Sequence, residues 1–321
     1  MGEFELIDRF FAALGATRRD VTQGVGDDAA IMQVPAGHEL VTCVDTLVEG
    51  RHFPMDADAY DIGWRALAVN LSDLAAMGAV PAWAMLALTL PELDEEWVDG
   101  FARGLGKLAA QFGVALVGGD TTRGPMTLSV SAMGFVPTGT ALRRSGARPG
   151  DLVYVTGWPG DAAAGLALLQ GRLEGHGANR GALEHKFRHP EPRVAFGQGL
   201  RGVASACVDV SDGLAQDLGR IAAASGVGAV IRARELPLSR ALYTLAGENA
   251  ARGYALAGGD DYELLFTAPP SARAQIGALA AKVGAPACHC IGEIVAGKGV
   301  RVLAERGEIP LPRGWDHFSP T

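Results

Sequence analysis

Asn70-Leu71-Ser72-Asp73-Leu74-Ala75-Ala76-Met77-Gly78-Ala79 is the stretch on which the fold reading turns. At 3.6 residues per turn, Leu67, Leu71, Leu74 and Met77 share one face of a helix that begins near Ala57. Gly78 stands where a left-handed cap would end that helix. The apolar run that follows, Ala79 to Leu90, is too short to span a bilayer and suits a buried strand. Asp73 lies on the last turns of the helix, with no Lys or Arg within seven residues. A carboxylate there loses solvation and gains no basic partner from its own helix. Alone it reads as an exposed acid on an amphipathic helix. Five other stretches that deliver Asp from Gly-rich or small-residue settings change that reading.

With 321 residues the chain can bury a large core and is expected to form two domains. Its 48% hydrophobic and 20% charged residues are an ordinary globular composition. A net charge of −8 argues against a general nucleic-acid binder, which needs a basic face. Neither a membrane span nor a signal peptide is expected. Cysteines at 43, 207, 288 and 290 have apolar neighbours and read as reduced thiols of a cytoplasmic protein. Cys288-His289-Cys290 lacks the spacing and the ligand number of a zinc clip. Glycine is the anomaly: 44 copies are about twice the usual share of roughly 7%. Many adjoin Asp, which points to backbone brought close to an anion or a metal.

Glu3 to Leu14 reads as an amphipathic helix. Gly24-Val25-Gly26-Asp27-Asp28-Ala29-Ala30 matches the dinucleotide fingerprint by letter only. Ala29 to Val34 reads as a strand, where that fingerprint needs a helix. Asp27-Asp28 is then either a turn pair or a carboxylate edge. Leu40 to Val44 is expected to pair with the first strand as a hairpin and to end at Asp45-Thr46. The lone His52 in the loop Gly50-Arg51-His52-Phe53-Pro54 ordinarily reads as a solvated residue. Asp94 to Gln111 is a helix with acids at its positive end. Val114 to Val117 is a strand running into Gly118-Gly119-Asp120-Thr121-Thr122-Arg123-Gly124, and Leu128 to Val136 is a further strand. This half is an α/β unit with Asp28, Asp45 and Asp120 at strand ends. The basic, turn-rich Arg143-Arg144-Ser145-Gly146-Ala147-Arg148-Pro149-Gly150-Asp151 marks the expected boundary, dividing the chain into 1–148 and 149–321. It reads as a solvated linker or as an Arg hook for phosphate.

In the second half, Leu152–Thr156 is a strand, Asp161 to Leu173 a helix and Val194 to Ala204 helical. Gly175 to Pro192 is a Gly-, His- and Arg-rich connection without an assigned element. Cys207-Val208-Asp209-Val210 is a short strand leading into Ser211-Asp212-Gly213-Leu214, with Ser211 as N-cap of a helix to Ser225. Two carboxylates, Asp209 and Asp212, beside free backbone N–H groups make a sound corner for a metal-bound phosphate. Capping explains Ser211 or Asp212, but not Asp209 as well. Ala257-Gly258-Gly259-Asp260-Asp261-Tyr262-Glu263 precedes the strand Leu264–Thr267. Ser271–Val283 is a helix, Cys288–Ile294 a strand, and Trp315-Asp316-His317-Phe318 an aromatic tail expected to pack.

The acids at element ends are Asp27, Asp28, Asp45, Asp73, Asp120, Asp209 and Asp212. All are hard oxygen donors, so Mg²⁺ fits better than zinc or copper. Gathered together they would drive pKa values up unless cations answered them. Several Mg²⁺ ions with a polyphosphate would do so. Neither a Walker loop nor a protein-kinase motif set occurs. An ATP-using enzyme of this kind holds phosphates through Mg²⁺, Arg and glycine N–H groups.

Taken in order, Gly26-Asp27-Asp28-Ala29, Val44-Asp45-Thr46, His52-Phe53, Asn70-Leu71-Ser72-Asp73, Gly118-Gly119-Asp120-Thr121-Thr122-Arg123-Gly124, Arg144-Ser145-Gly146, Asp209-Val210-Ser211-Asp212-Gly213 and Gly258-Gly259-Asp260-Asp261-Tyr262-Glu263 resemble the thiamine-monophosphate kinase family. That family lies within the aminoimidazole-ribonucleotide synthetase-like ATP enzymes. The resemblance covers the chain from the first helix to the Trp315 tail. It implies two α/β domains of α+β type, with the N-terminal sheets of two subunits joining in a homodimer and the active site in a cleft. It implies γ-phosphoryl transfer from ATP to thiamine monophosphate, the last step of thiamine diphosphate synthesis, with several Mg²⁺ ions. Metal positions fall on Asp28, Cys43, Val44, Asp45, Asp73, Asp120, Asp209 and Asp212; Cys43 and Val44 would serve through backbone carbonyls. ATP positions fall on Gly119, Asp120, Arg144 and Ser211, and Arg103 stands where an aromatic residue can occur. Asp120, Asp212 and Arg144 take the catalytic roles. Substrate positions are His52, Asp260, where Glu is expected, and Trp315, where Tyr is expected. Two other classes stand beside this one. A selenophosphate-forming or hydrogenase-maturation enzyme would carry a Cys near the N-terminus or a Cys-bearing tail. A nucleotide-binding regulator would bind ATP without turnover.

Overall fold

The computed structural model describes residues 2–284, 287–305, 307–311 and 314–315. The Asp316-His317-Phe318 part of the expected aromatic tail lies outside them. The chain divides into two compact units, Met1–Leu74 with Ala79–Gly139, and Ala75–Gly78 with Thr140–Thr321.

The first unit runs α1 (Glu3–Phe10), β1 (Val21–Gln23), β2 (Ile31–Met32), β3 (His38–Val48), α2 (Ala59–Ala76), β4 (Val80–Leu90), α3 (Glu95–Phe112), β5 (Ala115–Arg123) and β6 (Thr127–Pro137). Its four-stranded sheet has the order β3-β6-β4-β5, with only β4 and β5 parallel. Leu67 of α2 and Leu105 and Ala109 of α3 meet Ala84, Leu86, Leu116 and Val130 on one face of it. Burying such a Leu side chain contributes about 1.5–3 kcal/mol. The helices approach closely because glycine faces backbone: a Cβ on Gly104 would fall 2.0 Å from the Tyr60 carbonyl oxygen. Asp94 caps α3 by accepting from the N–H groups of Glu96 and Trp97. At the other end of α2, Gly78 takes φ +68° and the Ala79 N–H donates to the Leu74 carbonyl, as the sequence pattern predicts.

On the opposite face, β1 and β2 pair with each other and cover Trp83, Ala115, Val117 and Met133. The expected hairpin between the second and third strands is therefore not formed. β3 pairs with β6 along its full length instead, and it runs on past Asp45 to Val48. Beyond the β1–β2 cover the face lies open. Cross-strand partners Val44, Ser131 and Met85, and Thr46, Ser129 and Ala87, share it, with Leu40, Val44 and Met85 exposed.

The second unit runs β7 (Leu152–Thr156), α4 (Asp161–Leu169), α5 (Gly177–Arg188), α6 (Val194–Gly199), β8 (Ala206–Asp209), α7 (Leu214–Ser225), β9 (Gly228–Arg232), α8 (Arg240–Ala257), β10 (Leu264–Ala268), α9 (Arg273–Val283), β11 (Cys288–Val295), β12 (Gly299–Ala304) and β13 (Gly307–Ile309). The sheet order is β13-β12-β9-β11-β7-β10-β8. Leu214, Leu218 and Ile221 of α7 pack with Val153, Val155, Val208, Ile231 and Leu265 from the strands. α5 occupies the connection without an assigned element. It buries only Leu183 and Phe187, too few apolar positions to show a helical period.

Candidate functional site

Residues from three separate segments of the second unit meet where β8 gives way to α7. Asp209 ends β8 and is buried opposite Leu264 of β10. The Asp260 N–H donates to the Ser211 carbonyl (2.8 Å), and the Tyr262 N–H to the Val210 carbonyl (2.9 Å). The Trp315 N–H donates to the Asp212 carbonyl at 2.9 Å, and Gln216 Nε2 to the Trp315 carbonyl at 2.9 Å. Asp209, Ser211, Asp212, Asp260 and Trp315 are thus brought together. Backbone strain accompanies the contact. Asp260 and Tyr262 take φ +61° and +50°, a region that Tyr rarely visits. The Tyr262 hydroxyl donates to Asp260 Oδ1 (3.3 Å) and so orients that carboxylate.

Ser211 is not the N-cap of α7, as the sequence reading had it: Gly213 occupies that position and makes no side-chain cap. Asp217, one turn inside the helix, reaches back instead. Its Oδ2 accepts from the N–H groups of Ser211, Asp212 and Gly213 at 3.1, 3.1 and 3.2 Å. These donors line the turn that leads into the helix, and a carboxylate in its first turn satisfies them at the end that favours an anion. Arg220 Nη1 donates to Asp217 Oδ1 at 2.7 Å, while Nη2 is hydrogen-bonded to Asp212 Oδ2. Burial pushes Asp217 up to about 7; Arg220 opposes that, and Asp209 and Asp212 reinforce it. Burial alone would lower Arg220, and the Asp212 carboxylate reverses this to leave it raised. Asp217 and Arg220 escaped the motif reading. The signal for Asp217 was an acid in the first helical turn after Ser211-Asp212-Gly213.

Beside this corner, Glu263 is held by Arg193 through Nε (2.7 Å) and Nη2 (2.5 Å), and Thr156 Oγ1 donates to it at 2.5 Å. Asp261 accepts the Gly160 N–H through both oxygens at 2.8 and 2.9 Å, and burial raises it well above the carboxylate range. The same loop that presents Asp260 is therefore anchored at both following acids.

Arg144 stands apart from Asp212. Ser225 Oγ, at the C-terminal end of α7, accepts the Gly146 and Ala147 N–H groups (3.1 Å each) and donates to the Arg144 carbonyl (3.3 Å). The 12 residues of α7 put about 18 Å between that anchor and the helix start.

In the first unit, Asp28 lies exposed in the loop between β1 and β2, its N–H bonded to Asp27 Oδ1 at 2.8 Å. Cys43 turns its Sγ toward the Asn70 carbonyl of α2, 3.4 Å away. Asp45 is two residues on along that strand, and Asp73 is three residues on along that helix. Both lie on the surfaces that meet at this contact. β3 is an edge strand, so of the consecutive Cys43 and Val44 carbonyls one enters the ladder with β6 and the other points to the edge. Gly118-Gly119-Asp120 is not a loop but the middle of β5. Gly119 is pressed on Leu86: an added Cβ would lie 1.8 Å from that carbonyl oxygen. Asp120 falls in the cross-strand row of Ala87, Ser129 and Thr46, whereas Asp45 falls in the adjacent row with Val130 and Leu86. Adjacent rows point to opposite faces. His52 Nδ1 accepts the Val48 N–H at 3.0 Å and thereby closes the turn after β3. Arg103 pairs with Asp99 on the exposed face of α3.

Among the described residues, no three His, Cys, Asp or Glu side chains gather into a metal cage. The donors that do meet, Asp209 and Asp212 beside backbone groups, are hard oxygens in a charge-crowded corner. They suit Mg²⁺, which takes one or two carboxylates and completes its shell with water and substrate phosphate.

Residues 26–136 match the family model of the AIR synthase related protein N-terminal domain, and residues 148–305 that of its C-terminal domain. The chain therefore belongs to the AIR synthase related proteins. A thiamine-monophosphate kinase of Salmonella typhimurium is 46% identical over 99% of this chain and 98% of its own length. The crystal structure of thiamine-monophosphate kinase from Stenotrophomonas maltophilia superposes with a TM-score of 0.85 at 51% identity, covering 89% of this chain and 92% of that one. AaThiL complexed with AMPPCP and TMP gives 0.80 at 31% identity over 99% and 97%. Within the class, the chain is a member of the thiamine-monophosphate kinase family. Among the described residues no helix is long and apolar enough to cross a membrane.

Proposed function

We propose that this protein transfers the γ-phosphoryl group of ATP to the phosphate of thiamine monophosphate, yielding thiamine diphosphate and ADP. The observation that carries the proposal is the 46% identity to a thiamine-monophosphate kinase over 99% of the chain. The likeness to a ThiL complexed with AMPPCP and TMP supports the same substrate pair. The acceptor phosphate is largely ionised at neutral pH, since its second pKa is about 6, so no general base is required. Catalysis then rests on aligning two anions and answering their charge.

In the second unit Asp209 and Asp212 are proposed Mg²⁺ donors. In the first unit Asp28, Asp45, Asp73, Asp120 and a Cys43 or Val44 carbonyl are proposed donors too, and Asp45 and Asp120, in rows that point to opposite faces of the sheet, would serve different ions. When bound, Mg²⁺ neutralises phosphate oxygens and stabilises charge in the in-line transfer. Ser211 would contact the nucleotide through its side-chain hydroxyl, because Asp217 already takes the N–H groups of Ser211, Asp212 and Gly213. Gly119 and Arg144 would contact ATP; Arg144 meets a different part of the nucleotide, because its anchor lies one helix length from Asp212. Trp315, 40% exposed, offers a face on which a cationic ring can stack. Asp260, oriented by Tyr262, answers that ring's charge, and His52 completes the substrate set.

We further propose a homodimer joined through the N-terminal sheets. The exposed Leu40, Val44 and Met85 on the open face support it. We also propose a cytoplasmic location, in keeping with four cysteines that, with apolar neighbours, read as reduced thiols. Incubating the pure protein with ATP, Mg²⁺ and thiamine monophosphate should give thiamine diphosphate and ADP in equal amounts. Tight ATP binding without thiamine diphosphate would refute the proposal.

A further inference from the structure

One guanidinium answers two acids of the β8–α7 corner at once, and its two ends are not equivalent. Arg220 Nη1 holds Asp217 Oδ1 at 2.7 Å, and the Asp217 side chain is fully buried. Its Nη2 holds Asp212 Oδ2, where both side chains reach solvent, 34% exposed for Arg220 and 23% for Asp212. A buried pair resists separation, whereas a part-exposed pair exchanges readily with solvent and ions. Nη2 is a hydrogen-bonded cation seated on one of the two oxygens of the carboxylate that a divalent ion would use, and its charge repels that ion. Gln216 Nε2 also approaches that oxygen, at 3.5 Å, and is neutral.

We propose that Arg220 is a built-in counter-cation that competes with the divalent metal for Asp212, remaining tethered to Asp217 when the metal takes the carboxylate over. This rests on the reading of Asp212 as a metal donor. Without Arg220, Asp209, Asp212 and Asp217 are left with no guanidinium on the last two, and a free divalent ion gains what the arginine gives up. With Arg220 present, the corner is held in shape before any metal arrives, and occupancy of Asp212 by a divalent ion is kept low.

The test is direct binding of Mn²⁺, as the probe for Mg²⁺, followed by electron paramagnetic resonance on the full chain without nucleotide. Wild type, Arg220→Gln, Arg220→Lys and Asp212→Asn are compared. Arg220→Gln should bind Mn²⁺ several-fold more tightly than wild type, and its melting temperature should rise more on adding Mn²⁺. Arg220→Lys, whose single ammonium cannot hold both acids with a planar fork, should fall between them and guards against poor folding of the glutamine variant. Equal or weaker Mn²⁺ binding in both Arg220 variants, with Asp212→Asn weakened, would overturn the competition while leaving Asp212 as a metal donor. Unchanged binding in Asp212→Asn would overturn the reading of Asp212 itself, and with it this inference.

Discussion

Replacing Glu263 by Gln tests the anchor of the loop that presents Asp260. The Arg193 and Glu263 side chains are 10% and 8% exposed and joined by two hydrogen bonds. Burial alone would lower Arg193, and the Glu263 carboxylate more than reverses that, leaving it raised. Removing one partner of such a buried pair costs about 3–5 kcal/mol, because the other charge stays buried without its match. Glu191, also bonded to Arg193 at 3.1 Å but half exposed, recovers no more than about 1 kcal/mol. Glu263→Gln is therefore expected to lose about 3 kcal/mol of unfolding free energy, the range above less the Glu191 share. Arg193→Met should lose a similar amount. The double variant should lose clearly less than the sum, since removing both charges removes the desolvation problem as well. Urea denaturation of the four proteins closes the cycle. A loss below about 1 kcal/mol in Glu263→Gln, or strict additivity, would refute the argument that this pair is fixed by burial.

Gly119→Ala places a Cβ 1.8 Å from the Leu86 carbonyl oxygen. Overpacking of this severity should cost more than about 2 kcal/mol, and an unchanged melting temperature would contradict the β4–β5 register. Asp161, with its carboxyl accepting from Ser239 at 2.7 Å, is pushed up by burial from the ordinary 3.8 to about 6. The folded state then holds the proton more tightly, so this contribution is full below about pH 4 and is lost as pH rises through 6. Asp161→Asn should flatten the stability profile between those values by roughly 2–3 kcal/mol; parallel wild-type and variant profiles would sink the assignment. Asp212→Asn should lower turnover far more than it lowers stability, measured by steady-state assay and melting together. Unchanged turnover would take Asp212 out of the reaction.

Much of the architecture was legible because strong periodicity marked it. The apolar spacing of Leu67, Leu71 and Leu74 foretold α2, and the uncharged run after Gly78 foretold β4. Elements with thin apolar faces were not legible. α5 buries two residues, and α8 is broken at Gly247, where φ is +73°. Strand pairing was misread at β2, because two hairpins were compatible with the same turn signals and only burial of Trp83 under β1–β2 selects between them. Gly118-Gly119-Asp120, expected beyond the end of the strand Val114–Val117, lies inside β5, where the close approach of Leu86 gives Gly119 a structural reason.

At the site, the acids were conspicuous in the sequence, and their partners were not. A motif shows which carboxylates share a neighbourhood; it does not show which of them already has a cation. Glu263 is matched by Arg193, seventy residues away, and Asp212 by Arg220, eight residues on. The two matches differ in kind. At 8–10% exposure the first is held by the several kcal/mol needed to strand a charge. At the Asp212 end the second is open to solvent and worth about 1 kcal/mol or less. An argument from acid count to metal count therefore needs this sorting first. Acids with a buried arginine are scaffolding, and those with an exchangeable one remain open to a metal. By that measure Asp212, rather than the more deeply buried Glu263, is an arginine-matched carboxylate of this corner that a divalent ion can claim.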